Sequence, residues 1–233
     1  MKIIPIEVTN MNFSRLVPFV PTSLMAMSGE VFYSGRAAFE MTSHAYLLGL
    51  NPGGDSSDST LNTIEQSLLQ TAKSHPMVFS RYLDEPWRPG GQHSQMQVRV
   101  KHLFDRVGLD PRATPSSNLV FARSRDASSI NVEFEALAEQ CWPLHREVIS
   151  SQDIKIIICM GEKTFKYVAG KIGADRFWRE YIETNQRRWR SVAFRNAHGM
   201  TVVRLTHPSR ADWTAENSDP SELVRWCLDS HDL

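Results

Sequence analysis

The stretch LLGLNPGG, Leu47–Gly54, decides how the rest of the chain is read. It closes the apolar run Ala45–Leu50, and a short continuous apolar run bounded by a turn signal is the pattern of a buried strand. Asn51 falls at the C-terminal end of that strand and is followed at once by Pro52, Gly53 and Gly54. In an open α/β sheet this is the end from which a strand delivers a functional group to a ligand. Asn-Pro-Gly by itself is an ordinary turn signature. What the other strand ends carry therefore decides between the two readings.

Three further strands are expected at Ser117–Arg123, Ile154–Met160 and Thr201–Thr206. Helical patterns separate them. Leu61, Ile64, Leu68 and Ala72 share one face of residues 59–73, with Asp58 or Ser59 as N-cap. Val100, Leu103, Phe104 and Val107 point inward from residues 98–108, and Gly108 stops that helix. Asn131 caps residues 131–151, where Pro143 should kink the helix. Gly161 turns the third strand into a helix, and Asp219, Pro220 and Glu222 form the start signal of the last one. Asp84–Gln97 is rich in Pro and Gly and reads as a loop. Strands alternating with helices predict an α/β fold, a three-layer α/β/α arrangement around a mainly parallel sheet of about four strands. No boundary divides the 233 residues, so a single domain over 1–233 is expected.

Composition excludes several classes. Hydrophobic residues are 41% and charged residues 22%, as in ordinary globular proteins, and the formal net charge of zero announces no polyanion by itself. No run of 18 apolar residues predicts a membrane span, and Pro5 and Glu7 break the apolar N-terminus, which does not read as a signal peptide. Cys141, Cys159 and Cys227 are far apart and odd in number, so reduced cytoplasmic thiols are expected rather than disulfides. The histidines lack metal-ligand spacing. Neither a metal nor a cofactor is expected, and the chain is read as a cytoplasmic monomer.

Three predicted strand ends carry polar groups: Asn51-Pro52-Gly53, Arg123-Ser124-Arg125 and His207-Pro208-Ser209. In order, GLNPGG, SNLVFARS, IIICMGEKTF and LTHPSR resemble the uracil-DNA glycosylase superfamily. The likeness is to the branch whose first motif is Gly-x-Asn-Pro-Gly, as in the mismatch-specific and single-strand-selective enzymes. It spans Tyr46–Ser209, while residues 1–44 and 55–116 carry no matching motif. Two motifs at the ends of successive strands, in the right order, are far more specific than either alone.

The resemblance implies a monofunctional DNA glycosylase that flips out a damaged or modified base and leaves an abasic site. Asn51 would position the attacking water, since an amide orients water but does not titrate as a base. His207 would donate a hydrogen bond to the departing base. Gly49, Leu50, Pro52 and Gly53 would let the base approach the backbone closely. Asn118 would read the base edge, although Arg123 and Ser124 lie nearer the strand end. Phe79, Tyr82 and Trp87 are the candidates for the stacking aromatic, and the sequence does not choose between them. Ser209 would touch a phosphate, Arg210 and Trp213 would wedge the duplex, and Arg188 and Arg190, with Arg187 and Arg195 around Trp189, would contact the backbone of single- or double-stranded DNA. The segment DSSDST, Asp55–Thr60, departs from the family's apolar continuation and suggests a polar pocket for a bulkier base. Base-excision repair and defence against foreign DNA with modified bases both fit. The rival reading is a nucleic-acid-binding protein that keeps the fold without the chemistry. No lysine adjoins either motif, so lyase chemistry through a Schiff base is not expected.

Overall fold

A computed structural model describes residues 13–125 and 130–231. Most of the apolar N-terminal stretch, Pro5 and Glu7 included, lies outside the described residues. Six strands form one sheet: β1 (Ala45–Gly49), β2 (Ser116–Asn118), β3 (Ile156–Met160), β4 (Arg176–Ile182), β5 (Arg190–Arg195) and β6 (Thr201–Leu205). Their order is β2-β1-β3-β6-β5-β4. The first four in that order are mutually parallel, whereas β5 is antiparallel to both β6 and β4.

The four strands expected from sequence are the parallel ones, and the count is six rather than about four. The two missed strands form one edge. β4 mixes Arg176, Arg179 and Glu180 with Phe177 and Trp178, which are 58% and 40% exposed, so no buried periodicity marks it. Charged side chains are the usual protection of a sheet edge against pairing with other chains. β5 lies inside the stretch read as a basic patch, and its Val192 and Ala193 are buried. β2 is shorter than expected because the ladder gives way to single hydrogen bonds: Leu119 and Val120 donate to the carbonyls of Gly49 and Leu50.

Period-two alternation splits β1 and β3 between two cores. Tyr46, Leu48, Ile157 and Cys159 pack with α1 (Arg36–Glu40), α2 (Ile64–Leu69), α5 (Phe134–Ser151) and α6 (Glu162–Ile172). Leu47, Ile156, Ile158 and Met160 pack with α3 (Arg81–Asp84), α4 (Gln95–Val107) and α7 (Ser221–Asp229). A core on each face of one mostly parallel sheet is compatible with a three-layer arrangement. The cysteines are all buried and unbridged.

Helix ends differ from expectation where a side chain found a better partner. α2 begins at Thr63, whose hydroxyl closes a capping box with Gln66, rather than at Asp58 or Ser59. The same helix continues as a π turn over Gln70–Ser74. Asn131 does not cap α5 but accepts a hydrogen bond from Lys163 at 2.7 Å, and α5 runs on through Pro143. Gly108 takes the left-handed conformation, φ 74°, and stops α4 as expected. At α7 the Asp219 carboxylate accepts the backbone N–H of Ser221 at 2.9 Å.

His145 of α5 is fully buried between Tyr46 and the backbone after β2. Its Nε2 donates to the Leu119 carbonyl at 3.1 Å, and its Nδ1 accepts from the Tyr46 hydroxyl at 2.8 Å. Burial pushes the imidazole down to about 4 from 6.5. The unfolded chain therefore binds a proton that the folded chain refuses between those values, and stability is lost as pH falls from 6.5 towards 4. The full shift corresponds to about 3 kcal/mol. Urea midpoints should fall steadily on acidification from pH 7.5 to 4.5, with a shallower fall for His145→Gln, itself less stable at pH 7.5. A midpoint that is flat or rises on acidification would contradict this account.

Candidate functional site

The parallel strands end side by side, and a cleft of about 640 Å³ opens over those ends. Gly49, Leu50, Asn51 and Gly53 line it from the end of β1, Asn118 from β2, and His207 from the turn after β6. β1 sits between β2, which follows it, and β3, so the cleft lies at the point where strand order reverses.

Asn51 is fixed by its own NH2 group. Nδ2 donates to the Pro52 carbonyl at 2.9 Å, the Ser124 hydroxyl at 2.8 Å and the Ala122 carbonyl at 3.4 Å. Two of these partners are carbonyls, which only accept, so the amide orientation is chemically determined. The carboxamide oxygen is left to accept from whatever enters the cleft. Pro52 meanwhile presents no free carbonyl, because its oxygen also accepts the Ser124 N–H.

Gly49 is required by close approach rather than by flexibility. A Cβ there would lie 2.1 Å from Oδ1 of Asn118, its direct partner across the β1–β2 ladder. Asn118 is 4% exposed, and its Nδ2 has no hydrogen-bond partner. A buried amide donor without a partner is an unmet requirement, and the Tyr33 hydroxyl lies close to it on the same wall. Gly53 has open space where a side chain would stand, and its carbonyl is taken by Arg123.

His207 is held by its own turn. Nδ1 accepts the Ser209 backbone N–H at 3.1 Å and lies 2.8 Å from the Ser209 hydroxyl. An accepting Nδ1 puts the proton of the neutral ring on Nε2. Burial, and then the charge of Arg210, push the ring down to about 4, so it is neutral at physiological pH. The site thus holds a neutral imidazole with a free N–H. Ser209 serves this ring, whatever else its exposed side chain touches.

Trp213, expected as a wedge, is fully buried, and its indole N–H donates to the Thr206 carbonyl at 3.0 Å. It anchors the His207 turn from inside and does not reach outward. Arg99 of α4 holds the same turn through the Pro208 carbonyl at 2.6 Å and Asp212 at 3.1 Å. Phe79 does not line the cleft: it is buried and stacks on His75 at 4.2 Å. The aromatic wall is Tyr33, Tyr82 and Trp87, with ring centroids 5.5–6.1 Å apart. Burial pushes both tyrosine hydroxyls up, so they remain neutral.

Arg188, Arg190 and Arg210 are exposed, and the last two lie beside His207. The guanidiniums of Arg210 and Arg187 lie 5.0 and 4.4 Å from the centre of the Trp189 ring, and Arg190 faces Glu180 at 3.6 Å. Arg190, Arg204 and Arg210 line a second hollow of about 300 Å³ that shares His207 with the main cleft. The polar segment Asp55–Thr60 is ordered. Asp55 accepts from Ser57 and Arg125, and Asp58 from Thr60, which hold both carboxyls below their ordinary range. Thr60 reaches the cleft wall.

Arg123, named from sequence as an alternative to Asn118, belongs to an ionic wall whose other members, Glu30, Arg81 and Glu85, the sequence did not mark. Arg81 pairs with Glu30 and, at 2.5 Å, with Glu85, while Arg123 lies 4.0 Å from Glu30. Glu30 belongs to a segment without periodicity, so no signal marked it. Among the described residues no lysine lines the cleft, no cluster of His, Cys, Asp and Glu could hold a metal ion, and no helix is long and apolar enough to cross a membrane. No protein-family model matches the chain, and no curated protein matches it.

Two outcomes follow from this geometry. Gly49→Ala should displace Asn118 and lower stability by about 1–3 kcal/mol, the usual cost of overpacking, and the amides of the β1–β2 ladder should exchange faster with solvent. An unchanged melting temperature would contradict the close packing of Gly49 on Asn118. By long-range nitrogen–proton correlation, His207 should show the Nε2–H tautomer and titrate near 4. A titration near 6.5, or an Nδ1–H tautomer, would contradict the assigned hydrogen bonds.

Proposed function

We propose that the protein is a monofunctional DNA glycosylase with a uracil-DNA glycosylase-like α/β/α fold. It would take a flipped, damaged or modified base into the 640 Å³ cleft and hydrolyse its N-glycosidic bond. One observation carries this reading. An amide whose NH2 is tied down, leaving its oxygen open, and a neutral imidazole with an open N–H line the same cleft from two strand ends.

Breaking the bond to C1′ leaves an oxocarbenium-like sugar and puts the bonding electrons on the base. The Nε2–H of His207 donates to a base oxygen as that charge grows. A neutral donor placed in advance, in a site partly closed to water, stabilises developing charge without reorganising. Asn51 Oδ1 accepts one hydrogen of a water beneath C1′. The water oxygen bonds to C1′, and its released proton neutralises the departing base. A cationic sugar needs a positioned water more than a strong base, which is why an amide suffices. Asn118 Nδ2 fixes the base edge, and Tyr82 or Trp87 replaces the stacking lost on flipping. Arg188, Arg190 and Arg210 contact phosphates. With no lysine in the cleft, the product is an intact strand bearing an abasic site.

The cleft volume is in the range that takes a ligand of drug size, roughly 300–1,000 Å³. That favours a base enlarged by a polar substituent over bare uracil, whether the setting is repair or defence against modified foreign DNA. The test is alkaline cleavage of labelled oligonucleotides that carry uracil, hypoxanthine, oxidised pyrimidines and modified cytosines, single- and double-stranded. Strand breaks should appear only after alkali and should fall at least about 100-fold in Asn51→Ala and in His207→Ala. Tight binding without excision of any base would establish the non-catalytic reading instead.

A further inference from the structure

The ionic wall of the cleft has no evident structural purpose. Glu30 is 4% exposed, and the side chains of Arg81 and Arg123 are 11% and 9% exposed. Desolvating such groups costs several kcal/mol per ion, and apolar residues of similar volume commonly stabilise a fold as well or better. Their place on a cavity wall is better explained by what enters the cavity.

The backbone holds Glu30 there firmly. Its segment runs antiparallel to the residues at and after β2, with Gly29 opposite Ala122 and Phe32 opposite Ser117. Glu30 donates its N–H to the Phe121 carbonyl at 2.9 Å. Gly29 lets the segment come that close, since a Cβ would stand 2.2 Å from the same carbonyl oxygen. Arg81 and Arg123 flank the carboxylate, and both are tied elsewhere, Arg81 to Glu85 and Arg123 to Ser28 and Gly53. Asn118 lines the same cleft with its unpartnered Nδ2. The wall therefore offers a ligand one fixed carboxylate, which only accepts, with the Asn118 amide on the same cleft.

We propose that Glu30 selects the substrate base by accepting hydrogen bonds from an exocyclic amino group. The cleft would then favour an amino-bearing, substituted base over its deaminated counterpart. This rests on the glycosylase reading above. An amino group turns donor hydrogens towards the carboxylate, while the neighbouring ring nitrogen or carbonyl accepts from Asn118. An oxo group at the same position turns lone pairs towards the carboxylate and is repelled. A site built around such a fixed polar group discriminates strongly, because the wrong partner leaves a buried group unpaired.

Two matched pairs differ only in the 4-amino, N3-acceptor edge against the 4-oxo, N3–H edge: 5-hydroxymethylcytosine with 5-hydroxymethyluracil, and 5-formylcytosine with 5-formyluracil. Each is placed in single-stranded oligonucleotides, both as the ordinary deoxynucleotide and as a 2′-fluoro analogue that resists cleavage. Single-turnover excision and fluorescence anisotropy are read for wild type, Glu30→Gln and Glu30→Asp. The wild type should prefer the amino member of each pair at least about tenfold, and Glu30→Gln, whose amide also donates, should reduce that preference about tenfold or more. Glu30→Asp keeps a negative charge between Arg81 and Arg123 but withdraws the carboxylate from the cleft. It should lose affinity for the amino members with little change in melting temperature. Equal treatment of both members by the wild type would overturn the proposal, as would parallel losses on both in the variants. A binding preference that depends on Glu30, without excision of any base, would uphold this proposal and refute the glycosylase reading.

Discussion

Parallel strands that stop side by side leave backbone groups beyond their ends without ladder partners, and a buried carbonyl or N–H must find another. In this protein side chains supply them. Asn51 takes the carbonyls of Pro52 and Ala122, Arg123 that of Gly53, Trp213 that of Thr206 and Arg99 that of Pro208. His207 Nδ1 takes the N–H of Ser209. Each bond that completes the backbone also fixes a polar group at the cleft. The site is the consequence of ending four parallel strands together.

That economy explains why Asn51 and His207 present single, defined functions. Asn51 spends its donors on the backbone and keeps an acceptor. His207 spends its acceptor and keeps a donor. Neither depends on ionisation near neutral pH, which suits a reaction limited by charge placement more than by proton abstraction. The opposite wall differs in kind. There Glu30, Arg81, Glu85 and Arg123 bring full charges into the cavity, where fewer water molecules screen them. On the proposed reading, the first side would break the bond and the second would recognise the base.

Much of this was legible in the sequence, for identifiable reasons. Ala45–Leu50 and Ile156–Met160 are apolar throughout because both their faces are covered, and Asn51, which ends the first run, lines the cleft. Asn51 and His207 could be named because a strand end and a turn signature coincide at each, whereas Asn118 was named from the resemblance alone. β4 could not be read, because an exposed edge strand alternates charge with exposed aromatics and lacks a buried face. Trp213 and Phe79 were misplaced for a shared reason: an aromatic in a loop pattern carries no sign of whether it packs inward or reaches out. Glu30 and Tyr33 were invisible because their segment joins the residues at and after β2 only by isolated bridges and single hydrogen bonds, and Arg81 because its segment joins theirs in the same way. Their neighbours in space are distant in sequence.

The central claim is that Asn51 and His207 act on one bond from opposite sides. A crystal structure with single-stranded DNA carrying a cationic pyrrolidine in place of the target sugar tests it most directly. The account predicts the pyrrolidine nitrogen within hydrogen-bond reach of a water on Asn51 Oδ1, with His207 Nε2 facing the side from which the base leaves. A strand bound across another surface, with both residues untouched, would contradict it.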